Sequence, residues 1–148
     1  MGTRSRIGVM HGTVCKSVYC HWDGYLEHNG TILQEHYNSA KANHLVALGD
    51  LSTLRENILV PDGVDHSFEK PLPGTTVFYG RDRGETGTDF KVAHTFAEFL
   101  EQVDNCGGEY YYIMENGEWY CGSMYGEFKG RLVLLSQALE SIKVAEAS

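Results

Sequence analysis

A chain of 148 residues, 42% hydrophobic and 22% charged, is long enough for one domain with a real core and too apolar for disorder. Its 20 acidic against 12 basic residues give a formal net charge of −8, which argues against a general nucleic-acid binder, because such a protein needs a basic face. No apolar run approaches the length of a membrane span and no apolar leader opens the chain, so a cytoplasmic protein with reduced cysteines is expected.

Residues 5–11, SRIGVMH, read as a strand, and Gly12-Thr13 as a turn. A second strand, VCKSVYCHW at 14–22, completes a hairpin; Val14, Lys16, Val18 and Cys20 share one face, and Cys15, Ser17 and Tyr19 the other. Asp23-Gly24-Tyr25 breaks this alternation. A helix is expected from Asn29, an apt N-cap, with Leu33, His36 and Tyr37 along one side. A second follows Asn38 or Ser39 and stops at Gly49. Thr53 and Glu56 have capping-box spacing, which predicts a further helical turn. All three prolines fall within 61–74, a loop.

TTVFYG at 75–80 reads as a strand running into the charged, glycine-rich stretch GRDRGETGTD. Thr95 and Glu98 form a second capping box ahead of Phe96, Phe99, Leu100 and Val103 at helical spacing, and CGG ends that helix. Residues 109–124 form the clearest hairpin, two β-rich runs around Asn116-Gly117. Leu132, Leu135, Leu139 and Ile142 make a C-terminal amphipathic helix. The order β-β-α-α-β-α-β-β-α predicts a single α+β domain over 1–148. Its sheet is expected to be mainly antiparallel, with about five strands, covered by helices.

The chain carries residues for several kinds of chemistry. His21, Asp23, His28 and His36 carry metal-ligand atoms, but none has the spacing of a helical zinc motif. Cys20 stands beside His21, yet neighbouring strand residues point to opposite faces, so the two make no simple dyad. Carboxylates near strand ends, Asp23, Glu27, Asp82 and Glu85, keep a hydrolase open.

A ligand site draws on two clusters. Trp22 and Tyr25 offer stacking faces, and His21 and Asp23 can read polar edges. Tyr79, Arg81 and Arg83 stand at a strand exit among glycines, where arginine forks suit phosphate oxygens. The competing reading pairs the two arginines with Asp82, Glu85 or Asp89 in a solvated loop. No cofactor motif occurs, and GRDRGETG lacks the G-K-[ST] of a P-loop.

In combination, TRS at 3–5, YCHWDGY at 19–25, HNG…L…HY at 28–37, LGDLSTL at 48–54, YGRDRGE at 79–85 and YYYIMENGEWYCG at 110–122 resemble a family of small uncharacterised proteins of tailed bacteriophages and bacterial prophage genomes. The resemblance covers almost the whole chain. It implies a phage or prophage origin and a non-virion protein in the cytoplasm of the infected host, and it carries over no catalytic residue. With this origin the expected function is sequestration of a nucleotide-derived molecule, such as a cyclic nucleotide or ADP-ribose derivative that serves as a bacterial immune signal. A homodimer would suit such a pocket. Two alternatives stay open: a phosphodiesterase that degrades the same signal, and an acidic inhibitor of a host enzyme.

Overall fold

The computed structural model describes residues 2–126 and 129–147. Among these, eight strands form one sheet: β1 (Ser5–His11), β2 (Val14–Cys20), β3 (Leu51–Thr53), β4 (Val77–Phe78), β5 (Lys91–Ala93), β6 (Tyr110–Glu115), β7 (Glu118–Ser123) and β8 (Val133–Leu134). The helices are α1 (Thr31–His36), α2 (Ser39–Ala47), α3 (Tyr79–Arg83), α4 (Phe96–Asn105) and α5 (Leu135–Ala147), with a π-helical turn at Leu26–Gly30.

The hairpins form where the turn chemistry demands them. Asn116 and Gly117 take φ of 52° and 79°, both left-handed as a type I′ turn requires, and β6 pairs β7 from Tyr110↔Ser123 to Glu115↔Glu118. Asn38 caps α2 by accepting from the Lys41 N–H at 2.9 Å, and Thr95 caps α4 by accepting from Glu98 at 3.1 Å.

The mainly antiparallel five-stranded sheet expected from the sequence is corrected. The sheet is mixed, in the order β4-β3-β2-β1-β6-β7-β8, with β5 also on β2. β1 runs parallel to β6 through Ser5↔Tyr110 to Val9↔Met114, and β2 parallel to β3 at Cys20↔Leu51. Parallel neighbours are joined by long crossovers and leave no turn signature. The additional strands are two or three residues long, too short for a visible period of two. Leu51–Thr53 is a strand rather than the approach to a helical turn, because pairing with Val77 and Phe78 overrides the local capping pattern. For the same reason the last helix begins at Leu135, since Val133 and Leu134 pair with Cys121 and Tyr120.

Both faces of the sheet are covered. Ile7, Val18, Tyr112 and Cys121 lie in register across four strands and pack beneath α1, α2 and α5. On the other face Cys15, Ala93, Tyr111 and Ile113 pack beneath Phe99 and Val103 of α4. Each fully buried side chain of this kind contributes about 1.5–3 kcal/mol. Arg6 lies on the α4 face and is 1% exposed. Its Nε donates to Ser17 Oγ at 2.8 Å and its Nη2 to the Ser17 carbonyl at 2.9 Å. None of the three ion pairs among the described residues involves it.

β5 and β3 share one edge of β2, from opposite ends. β5 takes Cys15–Ser17 antiparallel and β3 takes Cys20 parallel. Between them the Tyr19 N–H donates to Asp50 Oδ1 at 2.9 Å, so a side chain fills the gap in the ladder.

Candidate functional site

The crowded segment after β2 is first of all a scaffold. Arg55 Nη1 donates to His28 Nε2 at 3.1 Å, so the His28 proton sits on Nδ1 and is donated to Asn29 Oδ1 at 2.8 Å. Asn29 Nδ2 in turn reaches Cys20 Sγ at 3.3 Å and Ser5 Oγ at 3.4 Å. Asn29 is fully buried and caps no helix, contrary to the sequence expectation, because its side chain is spent inside this chain of bonds. Tyr112 Oη donates to the Gly24 carbonyl at 2.6 Å, and the Gly24 N–H to the Thr3 carbonyl at 2.8 Å. Burial pushes the Cys20 thiol up to about 11, so it stays protonated at neutral pH. Cys15 and Cys121, each raised to about 12 by burial, do likewise.

What this scaffold presents is a cleft of about 540 Å³ beside the end of β2. His21 and Trp22 line it together with Arg4, Glu109 and Tyr125. Trp22 is 41% and Tyr125 68% exposed, so both rings offer surface to a ligand. Gly2 lies flat against the indole; a Cβ there would come within 2.5 Å of the ring. Gly107, at φ 71°, makes the equivalent room for Arg4, whose Nη1 would lie 3.0 Å from a Cβ at that position. No hydrogen bond or ion pair among the described residues engages the Arg4 guanidinium.

His21 Nδ1 lies 2.5 Å from Tyr19 Oη. Burial raises the Tyr19 hydroxyl to about 12, so it keeps its proton and donates it, which leaves the His21 hydrogen on Nε2. Burial and then the Arg4 charge lower the His21 pKa, so the ring is neutral at pH 7. The His21 and Trp22 rings meet edge to face, their centroids 4.6 Å apart. The polar groups of the cleft are thus mainly donors: Arg4, His21 Nε2–H and the Trp22 indole N–H, with Glu109 the carboxylate.

The arginines singled out in the sequence do not line this cleft. Arg81 donates to Asp82 at 2.8 Å and to the carbonyls of Ile58 at 2.5 Å and Thr76 at 3.0 Å, and lies over the Phe78 ring. Arg83 lies 3.5 Å from Glu85 and over Phe68. Both charges tie down their own segment, which is helix α3 and not an open loop. Tyr79 is half-buried on α3, its ring 5.7 Å from Phe68. Asp23 supplies the turn, at φ 54°, and Tyr25 packs its ring 6.0 Å from His28. The sequence-chosen residues thus separate into two that line the cleft, His21 and Trp22, and five that stand outside it.

None of Arg4, Gly2, Gly107 and Tyr125 carries a ligand-site signal in the sequence: Arg4 stands only within TRS, and Gly107 only within the CGG that ends a helix. They come from three separated segments, and only the parallel β1–β6 pairing, with Glu109 N–H bonded to the Arg4 carbonyl at 2.8 Å, assembles them. A larger hollow of about 690 Å³ lies between α2 and the proline loop. Its lysine, Lys41, is already taken by the Glu56 carbonyl and the Tyr37 ring, so that hollow offers an anion less than Arg4 does. Among the described residues no three His, Cys, Asp or Glu side chains are grouped to hold a metal, and no helix is long and apolar enough to cross a membrane. Compared with known protein families, characterised proteins and solved structures, the chain matches none.

Proposed function

We propose that this protein binds a small nucleotide-like molecule in the Arg4–Trp22–Tyr125 cleft and holds it without chemical change. The observation that carries this is a guanidinium that no described residue pairs, beside two exposed aromatic rings in one cleft. Indole and phenol faces stack on a base, whereas a guanidinium and ring N–H donors suit phosphate oxygens. The thiols of Cys15, Cys20 and Cys121, held protonated by burial, are not activated nucleophiles. The resemblance to phage and prophage proteins supports a setting in an infected bacterium, with an immune signal as the sequestered molecule. Cyclic dinucleotides and ADP-ribose isomers combine the required base and phosphates.

Calorimetry with a panel of these molecules tests the reading. Saturable binding is expected, weakened about 5- to 150-fold by Trp22→Ala, the loss of one stacked base at ~1–3 kcal/mol. Arg4→Ala should weaken binding and flatten its salt dependence. Ligand released by heat should be recovered intact; altered ligand would make the protein a phosphodiesterase. No binding at high micromolar concentration across the panel would remove the proposal and favour an acidic inhibitor of a host enzyme.

A further inference from the structure

A second, separate hollow of about 240 Å³ lies between α4 and the sheet. Its floor is Cys15, Ala93, Phe99 and Ile113, none more than 5% exposed. Phe96 and Leu132, 38% and 39% exposed, stand at its rim. An apolar cavity of about 150 Å³ already accepts a benzene ring, so this one has room for a ring with a short chain.

Two opposite charges act on the Cys15 floor, the buried Arg6 guanidinium, which is bonded to Ser17, and the Glu115 carboxylate. Glu115 lines the hollow, and no lysine or arginine does. Glu118 stands directly across the β6–β7 ladder from Glu115. Neither carboxylate has an ion-pair partner among the described residues. Like charges directly opposite on a strand pair are destabilising, so this pair is short of a cation. The Phe96 ring stacks at 6.3 Å on Phe99, and its exposed side adds a surface that attracts a cation.

We propose that the hollow binds a small primary ammonium with an aromatic body, the ring on Phe99 and Ile113 and the cation on Glu115. Neither the Arg4 cleft nor its ligand is needed for this. The net charge of −8 favours approach of such a cation over that of an anion.

The test uses 2-phenylethylammonium and, as its neutral counterpart, 2-phenylethanol, with calorimetry and saturation-transfer NMR on the full chain. The ammonium should bind saturably. Glu115→Gln should weaken it about tenfold and leave the alcohol unchanged, since a charged hydrogen bond alone is lost. Thr13, exposed at the mouth, gives Thr13→Trp, which should block both probes while the circular dichroism stays that of the wild type. Leu132→Trp closes the same mouth from the opposite rim and should act alike. The proposal is overturned if the wild type does not bind the ammonium, or if Glu115→Gln weakens both probes equally. Binding that survives both tryptophans, or that Arg4→Ala abolishes, places the probe elsewhere and overturns it as well.

Discussion

Asn29 joins more of the molecule than any helix cap would. Its amide links His28, and through it Arg55, to Cys20 and Ser5, so one buried side chain ties β1, β2 and the turn before α1 together. Buried networks of this kind are costly to break, because each group left without a partner keeps its full desolvation penalty. Asn29→Leu should therefore destabilise the fold by about 2–3 kcal/mol. Urea unfolding followed by tryptophan fluorescence measures this; a loss under half a kcal/mol, ~0.5, would mean that the bonds carry no net stability. The sequence shows an Asn before a helix and suggests a cap. A cap and a buried network node have the same local pattern, and only the burial of position 29 separates them.

At the scale of elements, Asp82 fastens α3, β4 and the proline loop to one another. It accepts from the Phe78 N–H at 2.8 Å and from Arg81, and His66 Nε2 lies 3.2 Å away. His66 Nδ1 accepts from the Leu72 N–H at 2.9 Å, so the imidazole passes the tie on to the loop. Burial alone would raise the Asp82 pKa, but Arg81, the Phe78 N–H and His66 outweigh it and hold the carboxyl below its usual value. A depressed folded-state value contributes stability above the unfolded pKa of about 4 and loses it as pH falls further. Wild-type urea midpoints should thus drop as pH falls below about 4, and Asp82→Asn should flatten that drop. Parallel curves for the two proteins would refute the role. Here the sequence was half legible: a pairing of Arg81 with Asp82 was one of its two readings. That YGRDR is a helical turn was hidden, because five residues carry too little periodicity to register.

For the whole molecule, local and distant pairings were not equally readable. Asn116-Gly117 announces its hairpin within a few residues, and Gly12-Thr13 does nearly as well. The β1–β6 and β2–β3 pairs unite segments with no common turn, so nothing in either segment names the other. The cleft inherits this limit. His21 and Trp22 stood out as a dense cluster, whereas Arg4 acquires its meaning only when β6 arrives beside it.

That late arrival shapes how the chain must be made. On the ribosome β1 and β2 emerge first and close their hairpin, yet the far edge of β1 waits until Tyr110–Met114 has been synthesised. At ~5–20 residues/s the delay is about 5–20 s, during which an apolar strand edge stays open to other nascent chains. Ribosome-tethered chains ending before Tyr110 should be cut rapidly by protease, and those extended past Ser123 should resist; equal resistance would show that the first half folds unaided. Synthesis must thus run past β6 before β1 is safe, and a chaperone that covers such edges would govern the yield more than any single contact in the finished fold.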